Sequence, residues 1–155
     1  MIFQDREDAG RQLAKRLGAF GGRTDLLVLG IPRGGVVVAL EVARALEAPL
    51  DVFLAAKLSV PGQEELAFGA MAEGGGCFLD ENTIRAAQIS AEEIAKIRDA
   101  AARRLRERAE TYRANRPALA VEGKTVILVD DGIATGASIR VDGGFKVVMT
   151  LPEPK

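Results

Sequence analysis

Four short, nearly continuous apolar runs constrain this chain more than any other feature. They lie at residues 25–30, 50–56, 125–129 and 145–151, and glycine, proline or helical sequence separates them. Apolar side chains on both alternating faces read as strands buried on both sides, the pattern of a parallel sheet. Helical periodicity fills much of the intervening sequence. Residues 5–20 carry Ala9, Leu13, Leu17 and Phe20 on one stripe, stopped by Gly21 and Gly22. A second helix is predicted over 34–47, ahead of Pro49. A third is predicted over 90–115, where Ser90 and Glu93 form a capping box. There Ile94, Ile97, Ala101, Leu105, Ala109 and Tyr112 recur at spacings of three and four, with Pro117 and Gly123 beyond the end. Strands alternating with helices predict an α/β fold, a parallel sheet flanked by helices on both faces. Residues 68–72 and 76–80 predict a small β-hairpin around Gly74 and Gly75. Residues 59–65, with Pro61 and Gly62, predict an exposed flexible loop. A length of 155 residues predicts one domain.

Composition narrows the chemistry. There is no histidine and only one cysteine, Cys77. Imidazole bases, Ser-His-Asp and Cys-His catalysis, and sites built on several thiolates are therefore excluded. What remains is carboxylates, Lys, Arg, hydroxyls, backbone N–H groups and oxygen-bound metal. Cys77 sits in an apolar strand and is expected to be a buried small hydrophobe. A formal net charge of −1 gives no general attraction to nucleic acid or anionic membranes. The N-terminus lacks the pattern of a signal peptide and no apolar run approaches membrane-span length, so a cytoplasmic protein is expected.

Ligands of parallel α/β sheets bind at the carboxyl ends of strands, which directs attention to the loops there. The third apolar run leads into Asp130 and Asp131, then Gly132, Ile133, Ala134, Thr135, Gly136, Ala137 and Ser138. Small residues let a phosphate approach the backbone, and successive N–H groups form an anion nest. Adjacent carboxylates accept hydrogen bonds from vicinal hydroxyls. A ligand with both a phosphate and a diol suits this pairing. The plain alternative is a strand ending in an Asp-Asp-Gly turn.

This segment resembles the phosphoribosyl-pyrophosphate (PRPP) signature of the type I phosphoribosyltransferases: four apolar residues, two acids, then a small Thr/Gly/Ser loop. It departs from that pattern at Gly132, where the family usually has an apolar residue. The resemblance spans roughly residues 25–151 and implies a Rossmann-like sheet core. It implies that Asp130 and Asp131 hold the ribose 2- and 3-hydroxyls, and that Ala134, Thr135, Gly136, Ala137 and Ser138 cradle the 5-phosphate. It assigns Arg33, Gly34 and Gly35, after the first strand, to pyrophosphate, a loop that often has unusual peptide geometry in this family. Lys57, following the second apolar run, reads as an anion contact in catalysis at a strand's carboxyl end or, more plainly, as a solvated edge charge, and the resemblance makes 58–66 the mobile loop that closes over PRPP. Mg²⁺ is the implied cofactor, bridged through substrate and water near Asp130 and Asp131 with no direct protein ligand. Hypoxanthine-guanine enzymes carry an Asp where this chain has Ala134, which argues against a 6-oxopurine acceptor.

The segment between Ser138 and Phe145 is too short for the family's crossover helix. The chain stops at Lys155, where many members continue with another strand and often a hood over the acceptor. The C-terminal part is thus expected to be shortened. The implied reaction transfers ribosyl 5-phosphate from PRPP to a nitrogen acceptor, expected to be a nucleobase, with release of pyrophosphate; a homodimer and a small-molecule acceptor are the expected partners, with no membrane. Two further readings stand beside it. One is a non-catalytic PRPP-sensing module touching RNA through the helix that carries Lys96, Arg98, Arg103, Arg104, Arg106, Arg108, Arg113 and Arg116. More simply, that helix is a solvated face with i,i+4 pairs, and nucleic acid is not the expected partner. The other is an unrelated α/β nucleotide-binding domain, although neither a GxGxxG after a strand nor a Walker motif is present.

Overall fold

The computed structural model of the protein describes residues 3–131 and the backbone of residues 146–150. Two compact units divide the chain: residues 1–53 with 118–155, and residues 54–117.

The first unit is a four-stranded parallel sheet of order β2-β1-β6-β7. Its strands are β1 (Leu26–Gly30), β2 (Leu50–Val52), β6 (Thr125–Val129) and β7 (Lys146–Thr150). Every residue of β1 and β6 is buried, as their apolar sequence requires. Side-chain alternation splits them between two faces. Val28, Ile127 and Val129 pack with helices α1 (Arg6–Arg16) and α2 (Gly34–Leu46) through Leu13, Ala14, Leu17, Val38, Val42 and Leu46. Leu27, Leu29, Val126 and Leu128 face the other way, against Ile31, Phe53 and Val121. At the amino ends of β1 and β6, Thr125 N–H donates to the Asp25 carbonyl over 2.8 Å. The Asp25 carboxylate accepts from Arg23 Nη2 at 2.9 Å and from Thr125 Oγ1 at 2.8 Å, which holds its carboxyl well below the usual carboxylate range. β7 lies parallel to β6, with Thr125 opposite Lys146 and Val129 opposite Thr150.

The second unit is an antiparallel sheet of β3 (Ala55–Val60), β4 (Gln63–Ala72) and β5 (Cys77–Leu79), in that order, with helices α3 (Glu81–Ala86) and α4 (Ala91–Arg113). Leu58, Val60, Phe68, Ile89 and Ala101 form its core, and Ile94 and Ile97 pack against them. The expected capping box at Ser90 and Glu93 is present. Beyond Leu105 the apolar stripe of α4 does not continue inward to Tyr112, which is exposed. Arg113 is buried instead and pairs with Glu73.

Three expectations are corrected here. The predicted strand 50–56 is two strands of different sheets. Phe53 N–H still donates to the Gly30 carbonyl at 2.9 Å, whereas the Leu54 carbonyl accepts from Glu73 N–H at 2.9 Å, so backbone pairing changes sheets between these neighbours. Residues 58–66 are a β-hairpin, not an open loop. Val60 pairs with Gln63 across Pro61-Gly62, and Gly62 takes the positive φ of 77° that such a turn requires of its second residue. Cys77 is exposed, because β5 is a short edge strand on which Cys77 and Phe78 both remain uncovered. The hairpin predicted around Gly74 and Gly75 is present as β4-β5, and α3 went unanticipated. No described helix is long and apolar enough to cross a membrane.

Candidate functional site

β1 and β6 are neighbours in register, with Gly30 opposite Val129, so their carboxyl ends open at the same place. Ile31 N–H donates to the Val129 carbonyl at 2.8 Å, extending the ladder by one residue. From there one strand leads through Ile31, Pro32 and Arg33 into α2, and the other into Asp130 and Asp131. The Pro32–Arg33 peptide is cis. Arg33 is exposed and occupies the N-cap position of α2 without a side-chain capping bond. The N–H groups at such a helix start, with the helix dipole behind them, favour an anion.

The start of α2 and the acidic pair touch. A Cβ on Gly35 would lie 2.8 Å from the Val129 carbonyl oxygen and 2.9 Å from Asp130 Cα. A Cβ on Gly34 would collide with the Asp131 carboxylate and lie 2.7 Å from Arg6 Nε. Only glycines let the helix start approach the strand end this closely. Asp130 is half-buried, and burial raises its carboxyl pKa, with the neighbouring Asp131 charge acting in the same direction. The Asp131 N–H donates to Asp130 Oδ1 at 2.8 Å and partly opposes that rise. Asp131 Oδ2 accepts from Arg6 Nε at 2.9 Å. Chemically, this is a carboxylate pair able to accept from a diol, set against an anion-favouring helix start.

The structure therefore brings together Arg33, Gly34, Gly35, Asp130 and Asp131. Lys57 belongs to the second unit: it is the third residue of β3, exposed, and its Nζ donates to the Glu65 carbonyl at 3.2 Å. It does not end a strand of the parallel sheet, because β2 stops at Val52. Ala134, Thr135, Gly136, Ala137 and Ser138 lie outside the described residues, as do Gly132 and the segment 139–144. Arg6 was not anticipated. Its signal in the sequence is a cation opening a helix whose first turn is otherwise acidic, with Glu7 and Asp8. Among the described residues no group of three or more His, Cys, Asp or Glu could hold a metal ion. An all-oxygen pair of carboxylates fits Mg²⁺ held largely by substrate phosphates and water.

A parallel α/β sheet with an acidic pair and a glycine-rich helix start at adjacent carboxyl ends carries these groups where domains of this class bind their ligands. The chain belongs to the phosphoribosyl transferase domain family, whose pattern matches residues 2–141. It is 44% identical, over 97% of its length, to two proteins from strains of Mycobacterium tuberculosis, each named "Putative phosphoribosyl transferase". The chain spans only 35% of the length of those relatives. It also resembles the crystal structure of TT1426 from Thermus thermophilus, with a TM-score of 0.80 and 43% identity, over 98% of this chain and 75% of that one.

Proposed function

We propose that the protein is a PRPP-dependent phosphoribosyltransferase that works with Mg²⁺ on a nitrogen acceptor other than a 6-oxopurine. In the reaction the bond from ribose C1 to pyrophosphate breaks, a C1–N bond forms and pyrophosphate leaves. The observation that carries the reading is the packing of Gly34 and Gly35 directly on Asp130 and Asp131. A ligand there meets diol acceptors and an anion-favouring helix start at once. Family membership supports the same transfer in general terms.

In this reading Asp130 and Asp131 accept from the ribose hydroxyls and fix the ring. Arg33 and the start of α2 neutralise charge on the departing pyrophosphate. Ala134 to Ser138 receive the 5-phosphate, an assignment that rests on the family resemblance. Mg²⁺, held near Asp130 and Asp131 through water, supplies additional charge neutralisation when bound.

The test is ligand-induced stabilisation. PRPP at about 100 times its Kd, with MgCl₂, stabilises the folded state by about 2.7 kcal/mol, a Tm rise of roughly 5–10 °C at this chain length. The double variant Asp130→Asn with Asp131→Asn is expected to lose the rise. No rise in the unmodified protein, or an equal rise in the variant, overturns the ribose assignment. Pyrophosphate release with a panel of nitrogen bases then reports transfer. Binding without release points instead to a PRPP-sensing module.

A further inference from the structure

Arg6 breaks a local rule. A cation in the first turn of a helix faces the positive end of the helix dipole, and Asp or Glu is the favoured choice there. Departures of this kind concentrate at functional positions. The rest of the turn obeys the rule: Asp5 caps α1 by accepting from the Asp8 N–H at 2.7 Å, and Glu7 and Asp8 follow.

What holds Arg6 in place lies one turn further on. A Cβ on Gly10 would sit 2.6 Å from Glu41 Cβ and 2.8 Å from the Val38 carbonyl oxygen, so α1 lies close against α2. That close approach carries the first turn of α1 to the first turn of α2. The Arg6 guanidinium lies against Gly34, and its Nε donates to Asp131 Oδ2 at 2.9 Å. The pair remains open to solvent, with side-chain exposures of 61% for Arg6 and 32% for Asp131. Among the described residues, Arg6 has no second acceptor. Its two terminal nitrogens are the groups a planar guanidinium uses to grip two phosphate oxygens together.

We propose that Arg6 is a pyrophosphate-contacting residue of this site, oriented by Asp131 and standing between the ribose-holding acids and the start of α2. The inference rests on the PRPP reading above and adds a residue to it. Asp131 then has two duties, accepting from the ribose and aiming the guanidinium. The cation joins the two halves of the substrate site at the bond that breaks.

The experiment is calorimetric titration of the unmodified protein, Arg6→Gln and Arg6→Lys with three ligands: PRPP, inorganic pyrophosphate and ribose 5-phosphate, each with MgCl₂. Arg6→Gln is expected to bind PRPP and pyrophosphate about 10- to 100-fold more weakly, the effect of losing a charge-assisted contact. Its affinity for ribose 5-phosphate is expected to stay within about twofold. Arg6→Lys is expected to recover part of the loss, because it keeps the charge without the fork. Unchanged PRPP and pyrophosphate affinity in Arg6→Gln overturns the proposal. So does an equal loss for all three ligands, which means that Arg6 only positions Asp131. Tighter PRPP binding in Arg6→Gln overturns it too, as the mark of a competing contact. Failure of the unmodified protein to bind PRPP sinks the PRPP reading itself. If pyrophosphate binding by that protein still depends on Arg6, the anion contact survives that failure. Circular dichroism and the ligand-free Tm of both variants establish that they are folded.

Discussion

Gly34 and Gly35 are adjacent, yet alanine is expected to do different things at each. At Gly35 the added Cβ meets backbone, the Val129 carbonyl oxygen at 2.8 Å and Asp130 Cα at 2.9 Å. Backbone at the end of a fully buried strand cannot swing aside, so α2 or the end of β6 must move. Overpacking of this kind costs about 1–3 kcal/mol. Better helix propensity returns at most about 1 kcal/mol. Taking the full return from the middle of that range leaves a net loss of about 1 kcal/mol, which lowers Tm by roughly 2–4 °C at this chain length. At Gly34 the obstacles are the Asp131 carboxylate and Arg6 Nε, both ends of side chains. They rotate away, and the ion pair given up is a solvent-exposed one worth about 0–1 kcal/mol. Gly34→Ala is therefore expected to melt within a few degrees of the unmodified protein while binding PRPP about tenfold or more weakly. Gly18→Ala is the control, since a Cβ there meets nothing within 4 Å. Differential scanning calorimetry without and with PRPP reads both quantities. If Gly35→Ala melts with the Gly18→Ala control, or Gly34→Ala loses as much stability as Gly35→Ala, the reasoning about which atoms can yield is wrong.

Two further outcomes follow from the electrostatics and the edge strand. Asp25 is held below its ordinary pKa by Arg23 and Thr125, so its contribution to stability is present above about pH 4 and is lost as pH falls toward the folded value. In that window the unfolded chain binds a proton that the folded chain does not. Asp25→Asn should therefore flatten the pH dependence of urea unfolding between about pH 2.5 and pH 4, and an unchanged slope refutes the assignment. Cys77 is exposed on β5, so the native protein should consume one equivalent of a thiol reagent without denaturant. Reaction only after unfolding would show that the thiol is covered.

Much of the parallel unit is legible in the residues themselves. β1 and β6 are apolar at every alternating position because both faces of the sheet are covered, so their position, burial and type follow from composition alone. The capping box and the glycines after residue 20 likewise mark helix ends through local chemistry. The acidic pair and the glycines of α2 could be singled out because strand ends are where such sheets bind ligands. Their mutual contact depends on β1 and β6 being neighbours in register, although nearly a hundred residues separate them. No local pattern contains that pairing.

The same limit explains what only the tertiary structure decided. An apolar run does not say where its hydrogen bonds go, so residues 50–56 read as one strand although Phe53 and Leu54 bond to different sheets. Nor does it say which face is covered, so Cys77 reads as buried although its strand is an edge. Arg113 is buried because Glu73, 40 residues away, meets it. Arg6 joins the candidate site because Gly10 lets α1 lie close against α2, which sets its guanidinium against an aspartate 125 residues downstream. Periodicity and short-range chemistry determine the elements and name the candidate groups. Long-range packing decides which of them meet, because contact between distant residues depends on how the elements pack and not on spacing along the chain.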